Sequence, residues 1–308
     1  MKFTKIFDTE SAMEAYLSSA DLDTYVFYVI ETDRIVYSGN EPHTPYDEQY
    51  LTFVAMEDNM SVGLSDANDN VYQYSIDNGA TWSNLANNQS TSAVNTGEKI
   101  LFKASGLTAD YLKGIGKLIP SAASSVEGNI MSLLYGDNFV GQTVISNARQ
   151  FHKLFENVTS LVSAENLVLP ATTLTDYCYF AMFYGCSGLT SAPSILPATT
   201  LASYCYFYMF NRCNLTAAPE LPATTLVDSC YTYMFEMNAN LNYIKCLATD
   251  ISASHCTFRW VNGVSATGTF VMPASMDGGN WVCGNSGVPF GWDGYDENGN
   301  RLELPCTM

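Results

Sequence analysis

The groups in this 308-residue chain that could do chemistry are nine cysteines, three histidines and a surplus of carboxylates. A cysteine can serve as nucleophile, metal ligand or half of a disulfide, and each use demands a particular neighbour. No cysteine occurs before Cys178, and an odd count cannot pair completely. His43, His152 and His255 have no second ligand at a metal-type interval. Asp47-Glu48 lies in a polar stretch, where solvation is the ordinary role. Asp293, Asp296 and Asn298 suggest a calcium loop by composition but lack EF-hand spacing and its terminal Glu, so a solvated turn is expected. There is no GxSxG elbow, no HExxH and no phosphate-cradling glycine loop ahead of a helix. The expectation is a chain with no catalytic residues, no metal and no cofactor.

The cysteines are placed by a repeat instead. LPATTL occurs at Leu169–Leu174, Leu196–Leu201 and Leu221–Leu226. Each copy is followed at a constant distance by Cys178, Cys205 or Cys230, then by Met182-Phe183, Met209-Phe210 or Met234-Phe235. Cys186, Cys213 and Asn238 come next, and Leu189, Leu215 and Leu241 close the units. Apolar residues at i, i+4, i+5 and i+8 share one face of a helical turn. Pro170, Pro197 and Pro222 suit a corner, having a fixed φ and no donor. Each unit therefore reads as strand, corner and helix, and units that cannot bury their apolar face alone must stack into a solenoid.

The flanks read as degenerate end units. Leu154-Phe155 takes the Met-Phe slot and Leu161 the closing-Leu slot; downstream, Leu247 takes the LPATTL position, Cys256 the Cys slot and Trp260 the Met slot. Helices on adjacent rungs pack about 8 to 10 Å apart, beyond the roughly 7 Å Cα limit for a disulfide. The repeat thiols are thus expected to be free, buried small hydrophobes. Cys283 and Cys306, outside the ladder, remain open as a pair.

Side chains vary where the frame does not need them. Thr190-Ser191 becomes Thr216-Ala217 and then Asn242-Tyr243, while Phe180-Ala181 becomes Phe207-Tyr208 and Thr232-Tyr233. Variation on a fixed frame suits recognition, so Thr190, Ser191, Thr216, Asn242, Tyr243, Tyr208 and Tyr233 are the ligand-binding candidates. Exposed Tyr contacts glycan or protein with little loss of side-chain entropy; the other role open to these rings is to cover the rungs.

Around the repeat, residues 1–48 read as a small α+β module: KFTKIF, a helix-like SAMEAYLSS, and a hairpin of TYVFYVIET with RIVYSG. Residues 49–150 read as an Ig-like β-sandwich with a connector, Trp82 and Tyr74 being core or cross-strand residues. The solenoid occupies 151–260, and 261–308 forms a β-hairpin cap around DENGN. The expected fold class is multidomain and β-rich.

With 31 acidic against 13 basic residues the net charge is −18, which disfavours nucleic acid and anionic lipid as partners. Ten Asp or Glu against three Lys or Arg fall within residues 1–49. No window approaches the roughly 18 apolar residues of a membrane span, so no membrane insertion is expected. The first residues lack a signal-peptide h-region, so export by that route is not expected, and sequons such as those at Asn88, Asn157 and Asn214 carry little weight.

The unit LPATTLxxxCYxxMFxxC followed by Leu closely resembles the BspA-like leucine-rich repeats, in which a proline-containing strand end is followed by Ile, Ala-Phe, Cys and Leu at the same intervals. Cys178 stands where that family has Ile. It is closer still to the LPATTL arrays of gut Bacteroidales surface proteins and of the phages that infect them. YSIDNGATWSNL resembles the β-sandwich modules that precede such arrays, and YVIETDRIVYSGN resembles a hairpin near the start of head- and tail-fibre proteins of those phages. The resemblance implies a non-enzymatic virion structural protein, a head- or tail-fibre-like decoration on the virion surface. Its N-terminal module would dock on other virion proteins and its solenoid would meet a host cell-surface glycan or protein. Such fibres are usually homotrimers, so the resemblance also implies a homo-oligomer. The rival is a cell-surface adhesin or lipoprotein of a gut Bacteroidales bacterium. A third class, a glycan hydrolase carrying the array as an accessory, would need a carboxylate pair in a cleft.

Overall fold

The computed structural model describes strands at residues 3–7, 25–29, 34–37 and 42–43, and the chain at 46–276 and 281–304. The protein divides into two compact units, Met1–Gln49 and Tyr50–Met308. It is β-rich, with several sheets, none of them closed.

In the first unit β1 (Phe3–Phe7) pairs in parallel with β2 (Tyr25–Val29); β2 pairs antiparallel with β3 (Arg34–Tyr37), and β3 with β4 (Pro42–His43). The TYVFYVIET and RIVYSG runs supply the antiparallel pair, as expected, with Val29 opposite Arg34. The SAMEAYLSS stretch lies outside the described residues.

The second unit begins with β5 (Leu51–Ala55), β6 (Val62–Ser65), β7 (Tyr72–Ser75), β8 (Ser83–Leu85), β9 (Gln89–Ser90) and β10 (Lys99–Lys103). β11 (Lys117–Pro120) and β12 (Ser124–Asn129) follow, then a one-turn helix at Ser132–Tyr135. β5 lies between β10 and β12, β7 and β8 extend that sheet, and β11-β6-β9 form a second one. Tyr74 pairs across from Phe102, and Trp82 sits half-buried beneath Lys103, 4.2 Å from its ammonium. β12 then pairs in parallel with β13 (Leu161–Ser163) and β14 (Leu167–Val168), so the sheet runs into the repeats without a break. A single buried cluster extends from Leu51 to Trp292.

Within the repeats the three LPATTL copies bury the same positions. Leu169, Ala171 and Leu174, with their counterparts Leu196, Ala198, Leu201 and Leu221, Ala223, Leu226, are buried, while both threonines of each copy are exposed. Successive units are joined by parallel bridges such as Thr173 with Thr200, Ile195 with Glu220 and Ala217 with Tyr243. One end-unit register differs from expectation by a residue. Leu221 pairs with Cys246, so Cys246 takes the first-Leu slot, Leu247 the proline slot and Ala248 the alanine slot. A thiol fills the leucine site because the slot requires only an apolar group, and Cys246 and Ala248 are fully buried.

The helix expected after each corner is not there. Residues 177–185 form a spiral of four-residue turns, and every fourth residue is left-handed: Tyr177 (φ 58°), Ala181 (φ 52°) and Gly185 (φ 73°). The same positions recur at Arg149, Lys153 and Asn157; at Tyr204, Tyr208 and Arg212; at Ser229, Tyr233 and Met237; and at His255, Arg259 and Gly263. The N–H groups of Cys178, Phe180, Met182 and Tyr184 donate to carbonyls three residues back. Those of Tyr177, Tyr179, Ala181, Phe183 and Gly185 donate instead to Ser203, Cys205, Phe207, Met209 and Asn211 of the next rung, at 2.8–3.1 Å. An α-helix would spend its N–H groups internally and leave none for the neighbour. It would also drift by about 40° every four residues, whereas the turn spiral brings Cys178-Tyr179 and Met182-Phe183 inward together.

Backbone bonding sets adjacent rungs about 4.8 Å apart, not the 8–10 Å of packed helices. Rung spacing alone therefore does not keep these cysteines from pairing, yet Cys178, Cys186, Cys205, Cys213, Cys230, Cys246 and Cys256 are all free and buried. Their hydrogen-bonding gives a reason. Cys186 Sγ donates to the Phe155 carbonyl at 3.0 Å and Cys213 Sγ to that of Phe183 at 3.1 Å, so these thiols face carbonyls of the preceding rung. Burial pushes Cys178 and Cys186 up to about 12, which holds both as thiols at neutral pH. Cys283 is disulfide-bonded; Cys306 lies outside the described residues.

Two ring columns run through the core. One stacks Phe151, Tyr179, Tyr206, Tyr231 and Trp260 with centroids 5.6–6.0 Å apart; the other stacks Phe155, Phe183, Phe210 and Phe235 and also reaches Trp260. The Tyr179 hydroxyl is buried without a hydrogen-bond partner. Phe occupies the equivalent site at Phe151, so Tyr179→Phe is expected to raise stability by about 1 kcal/mol, read as a higher denaturant midpoint at unchanged m-value.

After the repeats, β15 (Tyr243–Lys245), β16 (Gly268–Val271) and β17 (Trp292–Tyr295) continue the parallel stacking, and β18 (Arg301–Leu302) turns back antiparallel on β17.

Candidate functional site

The seven candidate residues fall on two different segments of the rungs. Thr190, Ser191, Thr216, Asn242 and Tyr243 follow the closing leucines and flank the parallel bridges of Ser163 with Ser191 and Ala217 with Tyr243. Thr190, Thr216, Asn242 and Tyr243 are exposed and Ser191 is half-buried, giving a strand face of small hydroxyl and amide groups with one ring. Thr190 Oγ1 donates to the Val162 carbonyl at 3.2 Å and is partly committed to the frame. Tyr208 and Tyr233 lie instead on the turn spiral, stacked on each other at 4.7 Å.

Reading with a period of four shows what surrounds those two tyrosines. Buried doublets such as Cys178-Tyr179 and Met182-Phe183 are separated by positions that are open to the surface in some rungs, and Tyr177, Phe180, Tyr204 and Phe207 are each half-buried there. Tyr177 stacks on Tyr204 at 4.7 Å and 2°, and Phe180 on Phe207 at 5.1 Å and 5°. Arg149 lies between Tyr111 and Tyr177, its guanidinium 4.0 and 3.9 Å from the two ring centroids. Neither Arg149 nor Arg212 was a candidate by type or spacing, because the helical reading does not set them on the same surface as Tyr208. The repeat-core residues Cys178, Met182, Phe183, Cys186, Leu189, Cys205, Met209, Phe210, Cys213, Leu215, Cys230, Met234, Phe235, Leu241 and Cys256 are all buried.

Glu236 is the electrostatic hub of this face. It accepts from Arg259, from Asn262 Nδ2 at 2.8 Å and from Asn211 Nδ2 at 3.1 Å, and so ties three successive rungs together. Thr232 Oγ1 donates to the His255 carbonyl. His152 is buried and stacked on Phe180 at 4.7 Å, and its Nδ1 has no partner. Burial, aided by Lys153 and Arg149, pulls His152 down to about 4 from its ordinary 6.5. The unfolded chain therefore binds more protons between these values, and stability is expected to fall as pH drops from 6.5 towards 4 and to level off below. His152→Phe, which continues the Phe180 column, should flatten that part of the pH profile of the thermal midpoint.

Elsewhere, the carboxylates of Asp293 and Asp296 are occupied by protein. Asp296 accepts from the Asn300 side-chain amide on Oδ2 and from the backbone N–H groups of Asn300 and Asn298 on Oδ1, which holds its carboxyl below the usual range, and Asp293 pairs with Arg301 at 2.6 Å. Among the described residues no three metal-ligating side chains converge, and no helix is long and apolar enough to cross a membrane. A cleft of about 130 Å³ beside Leu107, Tyr135 and Gln150 is smaller than the usual small-molecule site.

Compared with protein-family models, curated proteins and solved structures, the chain matches none.

Proposed function

We propose that this chain is a non-enzymatic recognition protein of the LPATTL leucine-rich-repeat type, carried on a phage virion as a head- or tail-fibre-like decoration. In this reading residues 1–48 dock on other virion proteins, an Ig-like β-sandwich joins them to the solenoid, and the solenoid meets a glycan or protein on the host surface as part of a homo-oligomer. The observation that supports it is the contrast between buried positions whose residue types recur and outward positions that change from unit to unit: the same sites are buried in all three LPATTL copies, while Ser191, Ala217 and Tyr243 succeed one another at half-buried or exposed positions. Such a frame keeps its stability whatever it displays.

Mass spectrometry of purified particles from a lysogen or infected culture is the direct test, and peptides of this chain are expected among the virion proteins. Recovery from washed bacterial envelopes and absence from particles would favour a cellular adhesin instead.

A further inference from the structure

We propose that the turn face is a docking surface for an acidic polypeptide segment with apolar side chains, a reading that rests on the recognition function above and narrows it to one face and one ligand class. The turn segments 149–157, 177–185, 204–212, 229–237 and 255–263 carry four Lys or Arg against two Glu, in a chain of net charge −18. Both carboxylates are engaged, Glu156 by Lys117 and Lys153 and Glu236 by Arg259. Among the described residues from 46 to 304 every other Lys and Arg is ion-paired within the chain, whereas Arg149 and Arg212 make no ion pair with a described residue.

The rings between these two guanidinium groups reinforce the sign. Because Tyr177 stacks on Tyr204, Phe180 on Phe207 and Tyr208 on Tyr233, each pair covers ring faces and turns its edges outward. Ring edges are the positive part of the aromatic quadrupole, and phenol hydroxyls donate, so the surface attracts carboxylates. A sugar needs an open ring face to lie on, and the stacking removes it. Met237, 55% exposed, and Phe258, 39% exposed, add an apolar rim that amino-acid side chains can cover and a glycan cannot. Aromatic rings, Met and Arg are also the residues that concentrate at protein–protein interfaces.

The backbone points the same way. Arg212 (φ 59°) and Met237 (φ 65°) hold the left-handed position that Gly185 and Gly263 fill in sister rungs. Two L side chains are thus kept, exposed, where glycine fits with less strain.

The probe is a random poly(Glu,Tyr) copolymer titrated into the full chain at low and moderate salt, with dextran sulfate and poly-lysine as comparators. The unmodified chain is expected to bind the copolymer in a salt-dependent manner and to ignore poly-lysine. Arg212→Gly is expected to weaken binding about tenfold while leaving the thermal midpoint unchanged or higher, since glycine is native at that site in two rungs. Arg149→Gln should weaken binding comparably. Failure of the unmodified chain to bind the copolymer, or equal binding by Arg212→Gly, overturns the proposal. Dextran sulfate binding as tightly, with loss in the same variants, also overturns it and assigns the face to an anionic glycan. Particle mass spectrometry is independent of this titration: a chain absent from virions that still binds the copolymer removes the virion reading alone.

Discussion

Trp260→Ala is expected to cost about 3 to 5 kcal/mol and to melt the C-terminal end of the stack before the rest. Both ring columns end on this residue, Tyr231 at 6.0 Å from one side and Phe235 at 6.1 Å from the other. Beyond it Trp281 stacks at 5.6 Å, and Trp260 Nε1 donates to the Gly287 carbonyl at 2.9 Å. Truncation leaves a cavity bounded by four rings, Phe270 at 6.1 Å being the fourth, and deprives a buried carbonyl of its donor, two penalties that add. Each rung touches only its neighbours, so the damage should stay local. Hydrogen exchange is the measurement: amides of 230–262 should lose protection while those of β5 and β10 retain it. Uniform loss across the second unit would show that the stack and the N-terminal sheets form one cooperative block. Trp260→Phe should recover much of the loss, because Phe155, Phe183, Phe210 and Phe235 show that a phenyl ring suits this interior.

A proline at position 181 and a glycine at position 237 should act in opposite directions, and together they separate a turn spiral from a helix. Ala181 sits at φ 52° and donates its N–H to the Phe207 carbonyl at 2.8 Å. Proline cannot adopt that φ and has no N–H, so Ala181→Pro should cost about 3 kcal/mol or more. Met237 is left-handed and largely exposed, so Met237→Gly should stabilise the chain by about 1 kcal/mol. In the middle of an α-helix the same glycine would destabilise by a similar amount. Chemical denaturation of the two variants reads both signs, and a destabilising Met237→Gly would contradict the left-handed geometry.

Much of the frame could be read from residue types alone. LPATTL specifies which positions are buried because leucine and alanine at those intervals leave only the threonines free to face water, and all three copies obey. The end units were harder. Cys246 escaped as the counterpart of Leu221 because a thiol in place of leucine hides the hexamer, although Ala248, Thr249 and Ile251 keep its remainder. The binding candidates do not form one group: Tyr208 and Tyr233 lie on the turn segments with Arg149, Arg212 and Tyr177, while Thr190, Asn242 and Tyr243 belong to the strand segments.

What residue order determined by itself is the repeat, its buried interior and the chain's acidity, since these depend on side-chain type and spacing. The conformation of the segment after each corner depended on tertiary contacts. Apolar positions at i, i+4, i+5 and i+8 satisfy a helix of 3.6 residues per turn and a spiral of four-residue turns almost equally well. The spiral is selected because half of its N–H groups find carbonyls on the neighbouring rung, about 25 residues away in the chain. Those partners exist only once the rungs have stacked, and stacking is also what brings the unpaired arginines and the ring edges onto one surface.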